Sequence, residues 1–369
     1  MERQGEEKIS PIVPPYLTPE DLRIGGRWKG EPEHFIVEEV AAYEASGQGA
    51  HYFLWVEKRD VAGGDVAKVF AKRFGVKESE VGIAGTKDKR GVTRQWVSLP
   101  AQNMSEEPAP EEIVEGVQIL EVTRHTNKLK TGHLKGNRFE IALSDVEVGG
   151  EELHQTLASI AGQIQAEGLP NFYGEQRFGS GGSTLAMGLR WLRGGWAPRK
   201  GFLKRMAASA VQSEVFNRVL ARRMREGSLR QAMDGDVFEK VDSGGRFWVE
   251  ESELEETQAR VDAGELLITG PMPGSRGGLA DGVAGVLERE EVGSLGLKEE
   301  DFDRLKRLGR GTRRPLWVPM GELRTRVDEE GLVWFSFFLP SGSYATVLVR
   351  EFNKSCGSDG FGGRFDREG

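Results

Sequence analysis

The sequence has one cysteine, Cys356, and only five histidines in 369 residues. A single thiol cannot close an internal disulfide. Cys356 sits in a Gly/Ser-rich stretch with no helix N-terminus to acidify it, so it reads as a bystander rather than a nucleophile. His34, His51, His125, His133 and His154 show no spacing that would set two of them on one helix face with a carboxylate, and no metal is expected. No uncharged run reaches the roughly 18 residues of a membrane helix. The opening Met1-Glu2-Arg3-Gln4-Gly5-Glu6-Glu7-Lys8 lacks the apolar core of a secretion signal, so the expected location is the cytoplasm. The run Gly179-Ser180-Gly181-Gly182-Ser183-Thr184 lacks the Gly-Lys-Ser/Thr ending of a phosphate loop, which argues against nucleotide hydrolysis. A serine-hydrolase Gly-x-Ser-x-Gly elbow is also absent. Nothing points to a bound cofactor or an obligate protein partner.

What is present suits a folded protein with more than one core. The chain is 38% hydrophobic and 29% charged, with 18 Phe and 8 Trp, and its length favours two domains over one. The net charge of -8 argues against indiscriminate binding of polyanions, yet the charges are segregated. Acids concentrate at Glu106 to Glu115, Glu250 to Glu256 and Glu288 to Asp301. Arg304 to Arg326 carries eight Lys/Arg against the single acid Glu322, and further basic clusters lie at Lys87 to Arg94, Arg124 to Arg138 and Arg190 to Arg205. A stripe of that sign is the footprint of a nucleic-acid surface, though a mixed solvated surface would share it.

Periodicity gives a mixed reading. Phe35 to Val40 and Tyr52 to Val56 are strand-like, and Asp65 to Phe74 has helical spacing with Gly75 as its stop. Val81 to Ala84 is a short apolar strand that exits into Gly85-Thr86-Lys87-Asp88-Lys89-Arg90-Gly91, and Thr93 to Leu99 forms the next strand. Val117 to Val122 and Arg138 to Leu143 read as strands, and Glu151 to Ile164 and Ser209 to Met224 as helices. Val333 to Phe338 and Thr346 to Arg350 read as closing strands. Residues 1 to about 20 and 353–369 are polar and aperiodic, and both ends are expected to be loose.

The loop around Asp88 sets one carboxylate among Lys87, Lys89 and Arg90. Cationic neighbours keep an acid ionised and available as a nucleophile, although on chemistry alone a charged surface turn looks the same. The segment from Ala84 to Gln95 resembles the motif around the catalytic aspartate of TruD-type pseudouridine synthases. Four more blocks match in the order of that family: Pro32 to Glu38, Lys135 to Phe139, Asn171 to Gly179, and Pro340 to Thr346 before Arg350-Glu351. They span nearly the whole chain. Departures are His34 where Asp is frequent, Gly91 where Ala is common, and Tyr344 where Phe is frequent; Gly91 is expected to loosen the loop beside Asp88.

The resemblance implies an α+β fold: a pseudouridine-synthase catalytic domain, a β-sheet with flanking helices, carrying an inserted α/β domain, the whole bilobed with a basic RNA cleft. The expected boundaries are 1–170 plus 316–352 for the catalytic domain, 171–315 for the insertion and 353–369 for a flexible tail. The implied partner is tRNA, with uridine 13 as the usual target and no cofactor. Asp88 matches the nucleophile; Phe35, Asn137 and Tyr344 match positions that contact the target nucleotide. Phe139 matches the aromatic that stacks on the flipped base. Lys87, Lys89, Arg90, Gln95, Gln176, Arg177, Arg313 and Arg314 are expected as supporting or RNA-contacting residues. The competing expectation is a tRNA-binding protein of the same fold that has lost the reaction.

Overall fold

Strand-forming runs with apolar residues at every second position dominate the first 150 residues, and they assemble into one large sheet. The structure, a computed structural model, describes residues 10–28, 31–102 and 104–354. Cys356 and most of the expected tail lie outside the described residues. In chain order the first elements are β1 (Gly25–Arg27), β2 (Phe35–Ala41), β3 (His51–Arg59), α1 (Gly63–Phe74), β4 (Gly82–Ile83), β5 (Val92–Pro100), β6 (Glu112–Val114), β7 (Val117–His125), β8 (Leu134–Val146) and α2 (Gly150–Glu167). Then come β9 (Leu169–Pro170), α3 (Ser183–Leu192), α4 (Gly201–Arg225), β10 (Val237–Lys240), β11 (Arg246–Trp248), α5 (Leu254–Asp262), β12 (Leu266–Met272), α6 (Gly282–Ser294), β13 (Thr312–Pro315) and β14 (Trp317–Val318). The chain closes with β15 (Arg324–Val327), β16 (Val333–Pro340) and α7 (Ala345–Asn353).

Contacts divide the chain into two compact units. The sheet unit holds Leu22–Gln165, Met320–Ala345 and the described residues from Phe352 onward. The helical unit holds the described residues up to Asp21, then Ala166–Pro319 and Thr346–Glu351. Around the insertion these divisions fall a few residues outside the boundaries read from sequence, where β9 and β14 pair inside the helical unit, Pro170 opposite Trp317; the described residues up to Asp21 and Thr346–Glu351, read from sequence as part of the catalytic domain, group with the helical unit instead.

In the sheet unit ten strands run in the order β15-β16-β8-β2-β5-β3-β7-β6, with β1 added on β8 and β4 on β5. Only the β2–β5 pairing is parallel among the described strands. Val66, Phe70 and Phe74 form a stripe on α1 because residues four apart share a helix face. That stripe packs on Leu54 and Val56 of β3, Val97 and Leu99 of β5, and Val117 and Ile119 of β7. Phe70 and Phe74 are fully buried, and truncating either to Ala would cost about 3–5 kcal/mol. The helix ends where read, at Gly75, whose φ of 68° makes a left-handed cap.

In the helical unit α3 crosses α4 at close range: a Cβ at Gly188 would stand 2.4 Å from the carbonyl oxygen of Ala207. Leu185, Leu189 and Leu192 of α3 meet Val211 and Val215 of α4, with Phe302 and Leu305 closing the cluster. A four-stranded sheet, β11-β10-β12-β13, completes this unit.

Two sequence expectations need correction. Thr346 to Arg350 is part of helix α7, not a strand. Its Thr-Val-Leu-Val run suits either period, but Val347, Leu348 and Val349 are buried in succession, where a half-buried strand would alternate. The described part of the N-terminal segment is not loose. Thr18 is 2% exposed, and the main-chain N–H groups of Leu17 and Thr18 both donate to the carboxylate of Glu351, at 3.0 and 3.1 Å.

Candidate active site

β4 ends at Ile83, β5 begins at Val92, and the connection between them carries Asp88 at an exposed position. Several neighbours fix this connection in place. Gly63, at the start of α1, lies against it so closely that a Cβ there would meet the carbonyl oxygen of Lys87 at 2.5 Å. The Gly91 N–H donates to Oδ1 of Asp60 at 3.0 Å, and the Asp60 N–H donates back to the Gly91 carbonyl at 3.2 Å. Gly91 itself has φ 104°, and a Cβ on it would come within 2.4 Å of the Phe35 carbonyl oxygen. The missing side chain therefore permits close seating of the loop on β2. This reverses the expectation that Gly91 loosens it.

The electrostatics also differ from the sequence reading. Lys89 and Arg90 are exposed, as expected of flanking cations. Lys87 instead turns inward, and its Nζ donates to Oε2 of Glu39 at 2.8 Å in a buried ion pair. Burial outweighs the pull of Lys87 and holds the Glu39 carboxyl above the usual carboxylate range. The cation that meets the Asp88 loop from below is Lys58, only 1% exposed, whose Nζ donates to the Asp88 main-chain carbonyl. Burial, reinforced by Lys87, lowers the Lys58 ammonium to about 8 against the opposing pull of Asp88 and Asp60. Neither Lys58 nor Glu39 was picked out from sequence. Both stand at alternate positions on strands whose other inward residues are apolar, and that pattern was the available signal.

Strand register gathers the remaining positions. Directly paired residues share a sheet face. Thr93 is paired with both Val37 and Lys58, Val37 with Phe139, and Phe139 with Phe337. One step along, Asn137 is paired with both Glu39 and Leu339. Phe35, Asn137 and Phe139 therefore share a face with Glu39 and Lys58. The rings of Phe35 and Phe139 lie 6.5 Å apart edge to face, and Phe139 stacks on Phe337 at 5.2 Å. Tyr344 follows the turn after β16, the strand that sets Leu339 opposite Asn137.

On this face Gln95 is 1% exposed, and neither of its amide atoms has a hydrogen-bond partner among the described residues; the same holds for Thr93 Oγ1 and Asn137 Oδ1. Each orphaned buried polar group costs about 1–3 kcal/mol, and native proteins retain few of them. Three such side chains on one sheet face mark a place arranged for recognition rather than for stability alone.

Gln176, Arg177, Arg313 and Arg314 belong to the helical unit. Gln176 is exposed. Arg177 bonds to Ser213 and Ser209 and sits over the Tyr173 ring. Arg314 bonds to Asn171 and lies 4.4 Å from the Tyr173 ring centroid. Arg313 is 8% exposed and points inward: its guanidinium takes Oε1 and Oε2 of Glu288 at 2.6 and 3.1 Å, both oxygens of Thr269, and the Gly278 carbonyl. All five of its donors are occupied, so of the two roles read from sequence the geometry leaves it the supporting one and removes RNA contact. Among the described residues no group of His, Cys, Asp or Glu is placed to hold a metal ion, and no helix is long and apolar enough to cross a membrane.

The chain matches the family described as tRNA pseudouridine synthase D (TruD) over residues 14–199 and 200–352. The chain belongs to the TruD family. A relative from Thermus thermophilus named tRNA pseudouridine synthase D is 41% identical over 340 residues, covering 92% of each chain. One from Anaeromyxobacter dehalogenans with the same name is 39% identical, covering 92% of this chain and 96% of its own. A crystal structure titled as the putative TruD of Methanosarcina mazei superposes with a TM-score of 0.73 at 24% identity, over 90% of this chain and 94% of that one, a likeness of fold. As a TruD family member the chain is a pseudouridine synthase, an isomerase, and its fold is α+β.

Proposed function

We propose that this TruD enzyme converts uridine 13 of tRNA to pseudouridine, with Asp88 as the nucleophile. The observation that carries the reading is the placement of the Asp88 loop. An exposed carboxylate stands on a connection tied down by Lys58, Asp60 and the buried Lys87–Glu39 pair. The reaction breaks N1–C1′, turns the uracil, and joins C5 to C1′, with the C5 proton lost and one gained at N1. No atom is added overall. A fixed carboxylate suits that chemistry, as in glycosidases that form a covalent intermediate. Extruding a stacked uridine costs a few kcal/mol and needs apolar faces to receive the base. Phe35, Phe139 and Tyr344 supply these, and Asn137 supplies a polar edge with a buried oxygen still to be paired.

In this reading the sheet unit is the body of the catalytic domain and Ala166–Pro319 of the helical unit is the insertion. The outward part of the basic segment, Lys306, Arg307 and Arg310, lines a surface pocket with Ser275, Arg276 and Asp303, and these cations take RNA phosphates. The decisive experiment maps pseudouridine in tRNA after exposure to the pure protein. A new pseudouridine at position 13, absent with Asp88→Asn, is expected; modification at another position or none would overturn the assignment.

A further inference from the structure

Trp191 and Trp196 lie five residues apart and have opposite fates. Trp191, at the end of α3, is 6% exposed inside the core of the helical unit. Trp196 is 96% exposed, and Phe202, in the first turn of α4, is 63% exposed. Large aromatics left in water on a folded protein are unusual, and these two share one short stretch. From Ser183 through Ser213 that stretch carries Arg190, Arg193, Arg199, Lys200, Lys204 and Arg205 and no Asp or Glu. Arg190, Arg199, Lys200 and Arg205 are exposed. Arg193 donates to the Leu295 carbonyl, and no ion pair with an acid engages any of the six among the described residues. Helix α4 begins inside the stretch with no acidic residue in its first turn and no side-chain cap, so its positive end adds to a field of the same sign.

Cations interleaved with exposed aromatic rings are what a single-stranded nucleic acid requires, because every base has a stackable face and every linkage a negative charge. We propose that the Gly194–Arg205 segment is a second RNA-docking surface, on which an unpaired base of the substrate RNA stacks against Trp196 while Arg199 and Lys200 take the flanking phosphates. This rests on the reading of the protein as an RNA-modifying enzyme. It assigns to the helical unit a contact with an unstacked nucleotide that is distinct from the Asp88 face. A protein partner or a second copy of this chain would be less well served by a stretch whose sequence holds six cations and no acid, since protein interfaces are depleted in lysine at their centres.

The test measures affinity for a tRNA transcript and for an oligouridine of about ten nucleotides, using the full chain and four variants. Trp196→Ala is expected to weaken binding of both RNAs by roughly five- to hundredfold, and Trp196→Phe to restore most of it. Trp248→Ala removes a comparably exposed tryptophan, 76%, that precedes Glu250 and Glu251, and should bind as the parent does. Arg199→Ala/Lys200→Ala should flatten the logarithmic salt dependence by up to about two. Parent-like binding of both RNAs by Trp196→Ala would overturn the proposal, as would failure of the parent to bind either RNA. A concentration-dependent dimer that Trp196→Ala dissolves would assign the patch to a second copy instead. Loss of oligouridine binding in Trp196→Ala, together with no pseudouridine formed by the parent, would uphold the surface and sink the proposed reaction.

Discussion

The side chain of Lys58 donates to the main-chain carbonyl of Asp88. The contact reaches the backbone of the proposed nucleophile, so it helps set where the carboxylate stands. Lys58 is a positioning residue, and its ammonium, lowered by burial to about 8, is faced by Asp88, Asp60 and Lys87. Its charge is present below that pH and lost above it. Single-turnover pseudouridine formation is therefore expected to fall as pH rises through about 8. Lys58→Met should be slower by about tenfold or more and should lack that inflection between pH 7 and 9. A parent-like rate and inflection in the variant would remove Lys58 from the site. For folding the sign is opposite: a lysine held below its ordinary value costs stability below pH 8, and the cost is relieved as pH climbs toward about 10.4.

Asp88→Asn should bind tRNA about as well as the parent and form essentially no pseudouridine. The amide keeps the acid's size while removing the nucleophilic oxygen, so the loss belongs to turnover, by more than about a thousandfold. With saturating enzyme, a residual rate above about a tenth of the parent's would show that Asp88 is not the nucleophile.

Two arginine replacements should separate structure from RNA contact. Arg313→Met strands the buried Glu288 carboxylate and should lower stability by about 3–5 kcal/mol while leaving the salt dependence of tRNA binding unchanged. Arg307→Ala/Arg310→Ala should leave the urea midpoint within error and flatten the salt slope by up to about two. Urea titration and binding between about 50 and 200 mM salt check both.

Gly91→Ala introduces a methyl 2.4 Å from the Phe35 carbonyl at a φ of 104°. The loop must shift or strain, at about 1–3 kcal/mol, and turnover should fall with it. Unchanged melting and unchanged single-turnover rate would show that the loop accommodates a side chain there.

Glu39, Glu214, Glu288 and Glu351 are all held above the usual carboxylate range by burial. An acid raised in the fold contributes stability that is present below its unfolded value, near 4.3, and lost as pH rises through its folded one. These four groups should make the urea midpoint higher near pH 5 than near pH 8, and a midpoint that instead rises with pH would contradict this.

Much of the sheet was legible because alternation is local. β2, β3, β5, β7, β8 and β16 lie where apolar residues recur at every second position. The short run in α7 was misread because four consecutive strand-prone residues satisfy either period, and only packing decides. Lys58 and Glu39 escaped notice because an inward charge on a strand has meaning only once its partners, Asp88 and Lys87, are folded beneath the loop. Arg313 was legible as a charge but not as a direction. Its partners Glu288 and Thr269 stand 25 and 44 residues earlier, beyond the reach of any local pattern.

The bonds from Leu17 and Thr18 to Glu351 join residues about 333 apart in the chain. The segment around Thr18 thus finds its buried partner only when the last described helix has been made. At typical elongation rates of about 5–20 residues per second, the N-terminal strap waits on the order of 15–70 s before its final seat exists. Completion of the helical unit therefore waits on the synthesis of α7. A fusion that trims residues up to Thr18 would take the Leu17 and Thr18 donors from the buried Glu351 carboxylate, so a tag that preserves folding keeps both residues.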